Sequence, residues 1–202
     1  MIILISGTSG SGKTFLARRI MGHLPQQPDG YHEIMRSGGK VKKIGLFWSP
    51  PYDITVLGKY DNQACGGCDC LSWKGAGDDM EALIVKAVQC GQRVLLEGLM
   101  VSAWGIERLT RLLHLGVIIV HIDTPLEECL AAVNDRRRTR AAAIGKSFEP
   151  VNPDNTAYKY RNLRQQDAKR KAHGIPVVLL NREDAYEYVV KALGLERNLC
   201  TS

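Results

Sequence analysis

Short, wholly apolar runs recur along the chain, and most are followed by apolar residues at helical spacing. The first run is Ile2-Ile3-Leu4-Ile5, and Phe15 to Met21 supplies a helical face after it. Arg93-Val94-Leu95-Leu96-Glu97, Val117 to Ile122 and Ile175 to Leu180 repeat the pattern. Runs of this length without alternation belong to strands covered on both faces, as in parallel sheets. Met80, Leu83, Ile84, Ala87 and Val88 make one helical stripe. Ile106, Leu109, Leu112 and Leu113 make another, and Tyr186, Val189, Val190 and Leu193 line the last. Val41 to Trp48 and Tyr52 to Leu57 are β-prone and flank Ser49-Pro50-Pro51, which predicts two strands or a hairpin. The order predicts a three-layer α/β fold, a parallel sheet flanked by helices.

Breakers and caps set the remaining boundaries. Residues 23–40 contain Pro25, Pro28, Gly30, Gly38 and Gly39 and predict a loop. Asp78 and Asp79 are candidate N-caps for a helix through Gln89, closed by Gly91. Thr124-Pro125-Leu126-Glu127 predicts a capping box, with Thr124 as the cap and Pro125 at the first position. Residues 155–172 predict a polar, basic helix carrying Tyr158, Tyr160, Arg161, Arg164, Lys169, Arg170 and Lys171. The 202 residues read as one domain, with an insertion over about 31–77 and a lid over about 134–155.

The first loop carries the most specific chemistry. Gly7-Thr8-Ser9-Gly10-Ser11-Gly12-Lys13-Thr14 fits G-x-x-x-x-G-K-[ST], and it stands between a predicted strand and a predicted helix. Glycines let the backbone curl round an anion, and the N–H groups of the loop and of the helix start point at it. Gly7, Ser9, Gly10, Ser11 and Gly12 are therefore candidate phosphate contacts. Lys13 reaches the β- and γ-phosphates of ATP, and the Thr14 hydroxyl is a ligand for Mg²⁺.

Other candidates follow from position. Glu97 ends a buried strand, where ligands gather in open parallel sheets, and can hold a Mg²⁺-bound water or act as a base. Arg136, Arg137, Arg138 and Arg140 lie within five positions, and guanidinium groups suit a triphosphate undergoing transfer. Arg136 and Arg140 share a helical face. The stretch Gly58 to Trp73 is polar, aromatic and poor in core residues, as functional loops are. Asp69 follows Gly66-Gly67 and can meet a substrate; Tyr60 and Trp73 can stack on a base; Asp61 and Arg36 complete the substrate-binding candidates. Cys65, Cys68 and Cys70 cluster, but a structural zinc site needs four ligands, and no second C-x-x-C or nearby His completes one. Free thiols are the expectation there.

The formal net charge of +6 and pI near 9.0 favour an anionic partner, which a nucleotide or DNA equally satisfies. No segment is apolar for long enough to span a bilayer, and the chain opens on a core strand rather than a signal peptide, so a cytoplasmic location is expected.

With its strand, loop, arginine-rich lid helix and closing strand–helix unit, the chain resembles the P-loop nucleoside and nucleotide kinase superfamily. The resemblance implies that Lys13 and Thr14 carry phosphate and Mg²⁺, that Arg136, Arg137 and Arg140 are lid arginines, and that Glu97 stands at a Walker-B-like strand end. Glu97-Gly98 replaces the Asp-Arg pair of thymidylate kinases. The segment Gly58-Lys59-Tyr60-Asp61 to Gly66-Gly67-Cys68-Asp69 is similar to phage P-loop kinases, among them 5-hydroxymethyluracil DNA kinases. That resemblance implies an ATP- and Mg²⁺-dependent kinase whose acceptor is a modified pyrimidine in DNA. The rivals are a kinase for a free nucleotide or nucleoside, and a nucleotide switch or DNA-binding accessory ATPase. The catalytic roles fall to Lys13, Arg136 and Arg140, with Glu97 or Asp69 handling the acceptor hydroxyl.

Overall fold

The apolar runs become strands because their residues find cover on both faces. The computed structural model describes residues 1–36, 39–60, 66–71 and 73–196, the Arg36 side chain excepted. The strands are β1 (Ile2–Ser6), β2 (Gly30–Arg36), β3 (Lys40–Trp48), β4 (Ile54–Leu57), β5 (Arg93–Glu97), β6 (Val117–Ile122) and β7 (Val177–Leu180). They form one sheet in the order β2-β3-β4-β5-β1-β6-β7. From β4 to β7 every pairing is parallel; β3 runs antiparallel to β4 and β2 antiparallel to β3. The sheet is thus mostly parallel with a hairpin at one edge, as the paired β-prone runs predict for β3 and β4.

The helices are α1 (Lys13–Met21), α2 (Ala76–Gln89), α3 (Leu99–Ser102), α4 (Ile106–Leu112), α5 (Leu126–Ala143), α6 (Pro153–Ala172) and α7 (Arg182–Ala192). Strand alternation divides the core in two. Ile2 and Leu4 point into a cluster with Met80 and Ile84 of α2 and Leu109 of α4. Ile3 and Ile5 point into another with Leu16 and Ile20 of α1 and Val189 of α7. This gives the three layers.

Several local expectations are corrected. Residues 30–36 are not loop but the edge strand β2. Its outward residues Tyr31 and Met35 are exposed while Ile34 packs against the core, so no continuous apolar run marks it. The N-cap of α2 is Gly75, not Asp78 or Asp79. Those carboxylates are taken elsewhere: Asp78 pairs with Arg108, and Asp79 accepts the Trp73 indole N–H at 2.7 Å. The capping box is absent, because α5 starts at Pro125 with no side-chain cap and Thr124 donates instead to the Ser11 carbonyl at 3.1 Å. The first part of the expected lid is the last turns of α5; Asn152 then caps α6, with Pro153 at its first position.

One buried polar cluster ties α6 beneath the sheet's carboxyl edge. Arg170 donates to Asp167 Oδ1 at 2.8 Å and to the carbonyls of Ser102 and Trp104 at 2.6 and 2.9 Å. The other oxygen of Asp167 meets Nδ1 of His121, which belongs to β6. All three side chains are buried. Removing the shared acid leaves a buried guanidinium without its counter-charge. Asp167→Ala is expected to cost about 3–5 kcal/mol in urea unfolding; a loss below about 1 kcal/mol would show that the cluster is not a structural tie.

Candidate functional site

The phosphate-binding loop lies between the end of β1 and the start of α1. Gly10 has φ +86°, and a Cβ there would lie 2.2 Å from the Cys129 carbonyl of α5. Only glycine lets the loop dock on that helix. Gly12 caps α1 in a left-handed conformation with no side-chain cap, which leaves the helix's first N–H groups to an anion. From outside, Thr124 and the Nε of Arg182 both donate to the Ser11 carbonyl at 3.1 Å. Lys13 is buried and its ammonium donates to the carbonyls of Gly7 and Thr8 at 2.8 and 3.0 Å. Burial pushes its pKa down, while Glu97 and Asp69 pull it back up.

Glu97 comes from β5, beside Ile5 in the register. The Thr14 hydroxyl donates to its Oε1 at 2.9 Å. Its carboxyl, 1 % exposed, is pushed up to about 7. Burial is the main cause; the Thr14 hydrogen bond and the Lys13 charge oppose it, and Asp69 adds to it. Asp69 accepts the N–H groups of Leu99 and Met100 at 2.9 Å each, so its carboxylate is held over the start of α3. Ser9, Gly10, Gly12, Lys13, Thr14, Asp69, Glu97 and Arg136 share one cavity of about 280 Å³.

The insertion reaches this cavity through glycines. Lys59 and Gly67 exchange backbone hydrogen bonds at 3.1 and 2.8 Å. Gly67 has φ +74°, and a Cβ on it would lie 2.0 Å from Glu97 Oε1. The backbone therefore rests directly on the catalytic carboxylate candidate. Tyr60 stands at the boundary with a second cavity of about 250 Å³, which Met21, Tyr31, Lys43, Leu46 and Trp48 help line. The Lys43 ammonium sits 3.7 Å from the Tyr31 ring centroid. Burial, with the nearby Glu97 and Cys68, keeps the Tyr60 hydroxyl well above its usual pKa and so protonated. That buried hydroxyl has no hydrogen-bond partner among the described residues.

Other candidates fall elsewhere. Arg137 donates to the carbonyls of Glu149 and Pro150 at 3.4 and 3.3 Å, bracing the α5–α6 connection. Arg138 pairs with Asp135 at 2.7 Å, and Arg140 is exposed on the same helix. Trp73 donates its indole N–H to Asp79 and packs on the core, and it lines neither of these two cavities. Asp61 and Cys65 lie outside the described residues, as does the Arg36 side chain. Cys70 is disulfide-bonded rather than a free thiol, and Cys68 is a free thiol turned into the core toward the Leu57 carbonyl at 3.7 Å. Among the described residues no three His, Cys, Asp or Glu side chains gather as a metal site. Arg18 escaped the sequence reading: it lies one turn after Thr14, and a Cβ on Gly66 would come 3.3 Å from its Nη2. Its charge bears on both Glu97 and Tyr60. Its i+4 spacing from Thr14 was the available signal. Asp123 pairs with Arg164 of α6, in keeping with a structural role.

The family model described as 5-hmdU DNA kinase matches residues 2–182. A protein named 5-hmdU DNA kinase, from Pseudomonas phage PaMx11, is 33% identical over 95% of this chain and 96% of its own length. One named 5-hmdU DNA kinase 1, from Salmonella phage ViI, is 30% identical over 65% of this chain and 57% of its own. A solved deoxyadenosine kinase from M. mycoides superposes with a TM-score of 0.44 at 13% identity, over 96% of this chain and 98% of that one. No helix among the described residues is long and apolar enough to cross a membrane.

The raised Glu97 pKa has a measurable consequence. The native carboxyl binds its proton up to about pH 7, whereas the free side chain releases it near 4.5. The folded state therefore holds more protons in that window, and stability is lost as pH rises through it. Relative to Glu97→Gln, the nucleotide-free protein should lose on the order of 3 kcal/mol between pH 4.5 and 8. Parallel urea-unfolding profiles for the two proteins would refute the assignment.

Proposed function

The chain belongs to the 5-hmdU DNA kinase family, and on that premise we propose that it transfers the γ-phosphate of ATP to the hydroxymethyl oxygen of 5-hydroxymethyluracil in DNA. The observation that carries the reading is the Thr14–Glu97 hydrogen bond of 2.9 Å inside a cavity shared with Lys13, Asp69 and Arg136. Phosphoryl transfer needs little covalent help from protein; it needs positioning and charge neutralisation. Lys13 and Arg136 would neutralise the transferring phosphoryl group, and the loop N–H groups would hold the rest of the triphosphate. The hard oxygen donors of Thr14 and Glu97 fit Mg²⁺, directly and through water, and the ion would supply further neutralisation when bound.

The two carboxylates then divide the work. Glu97 is engaged with Thr14 on the phosphate side. Asp69 comes from the same insertion as Tyr60 and lines the cavity with its carboxylate already oriented by two backbone N–H groups. We assign Asp69 to the acceptor: it takes the hydroxymethyl proton as that oxygen bonds to the γ-phosphorus and the bond to the β,γ-bridging oxygen breaks, releasing ADP. The cavity of about 250 Å³ beside Tyr60, with aromatic walls, supports a bound pyrimidine ring. That volume lies below the roughly 300–1,000 Å³ of drug-sized ligand sites and suits a single ring. A base in a duplex reaches such a pocket only by leaving the stack.

The test is steady-state transfer of labelled γ-phosphate to 5-hydroxymethyluracil duplex DNA. Lys13→Ala should lose at least about 10²-fold in kcat. Asp69→Asn should lose about 10²–10⁴-fold in kcat with the KM for ATP little changed. For the wild type, kcat/KM for the duplex should fall steeply with salt. An Asp69→Asn enzyme of near-normal kcat would remove the acid from its role, and a wild type inert toward this DNA would remove the acceptor.

A further inference from the structure

We infer that the β2–β3 hairpin is a DNA-gripping wing whose exposed Met35–Val41 pair wedges into the base stack beside the target nucleotide. The inference rests on the DNA-acceptor reading above. The register makes the hairpin overhang the sheet. The β4 strand ends at Leu57, opposite Gly45, so among the described residues β3 from Lys40 to Lys43 and β2 from Glu33 onward have no third strand beside them. This overhang extends beyond the carboxyl edge, the edge that carries the phosphate-binding loop and Glu97.

Its surface is unlike an ordinary loop tip. Met35 and Val41 face each other across the two strands and are 78% and 51% exposed. Lys40, Lys42 and Lys43 are all exposed around them. The one acid among the described residues of the overhang is Glu33, opposite Lys43 in the register. An exposed apolar pair has a burial cost to recover, and an edge hairpin left bare invites association. Lysines on either side select a polyanion over an apolar partner. An apolar wedge between phosphate-binding cations is how proteins unstack a base step.

Orientation completes the argument. Across the register shift between His32 and Glu33, exposure still alternates along β2: Tyr31, Glu33 and Met35 are exposed and His32 and Ile34 half-buried, so the first three share a face. Tyr31 lines the cavity beside Tyr60, and Lys43 covers its ring. The wedge and the mouth of that cavity thus share a face. A base displaced by Met35 and Val41 has an aromatic-walled cavity next to it, with Tyr60 leading on to Glu97.

The experiment uses a duplex carrying 5-hydroxymethyluracil with 2-aminopurine as its neighbour, whose fluorescence rises on unstacking. Wild type and Met35→Ser/Val41→Ser are compared; both positions are exposed, and equal thermal midpoints establish that the fold is kept. The wild type should raise the fluorescence severalfold. The double variant should lose most of that rise while its Kd for the duplex weakens by about threefold or less, since the lysines remain. Its kcat/KM should fall about tenfold on the matched duplex and less than twofold when the base lies opposite a gap, where unstacking costs little. An unchanged fluorescence rise in the variant, or equal losses on both substrates, overturns the wedge. Fluorescence reads the wedge without phosphate transfer, so a wild type that unstacks DNA but does not phosphorylate it would refute the kinase acceptor and leave the wedge standing.

Discussion

The hydrogen bond from Thr14 to Glu97 is the contact on which the rest of the site depends. A buried carboxylate is costly unless something satisfies it. Here the loop hydroxyl does so at 2.9 Å, and the Lys13 charge assists. The contact joins the loop after β1 to the end of β5, its neighbour in the sheet. It also fixes where the insertion can go, because Gly67 lies so close to Glu97 that any side chain on it would collide with the carboxylate. The loop after β1 and the segment around Gly67 thus meet at one carboxyl group.

From that point the proposed reaction divides the molecule into a donor side and an acceptor side. The proposed donor side is β1, the loop, α1 and the α5 backbone against Gly10, with Thr124 and Arg182 fastening the loop from outside. The acceptor side hangs from the other end of the sheet, on β4, the Lys59–Gly67 bridge and the β2–β3 hairpin. A small acceptor would need only the cavity beside Tyr60. The overhanging, lysine-rich hairpin has a use if the acceptor base is one residue of a much larger anion.

The sequence was most readable where strands are buried on both faces. Ile2 to Ile5, Val94 to Leu96 and Val117 to Ile122 could be assigned because parallel pairing demands continuous apolar runs. The phosphate-binding loop was readable because its glycines have fixed jobs. The edge strand β2 was not, since only Ile34 of its apolar residues turns to the core, and its start lies among prolines and glycines. Side-chain competition hid the rest. Trp73 and Asp79 read separately as a stacking residue and a helix cap, yet they bind each other. Thr124 looked like a cap until its hydroxyl proved to serve the loop. Arg137 carried the same charge as Arg136, but the turn of α5 sends it to backbone carbonyls and Arg136 to the cavity lined by Lys13 and Glu97.

The most direct test of the central claim is the chemical identity of the product. The protein is incubated with ATP, 5-hydroxymethyluracil duplex DNA and the matching free nucleoside together, and the DNA is digested to nucleosides for mass spectrometry. The account predicts a phosphate monoester on the 5-hydroxymethyl group, recovered from the DNA and dependent on Lys13. Phosphate found only on the free nucleoside, or released to water with the DNA unmodified, would contradict it.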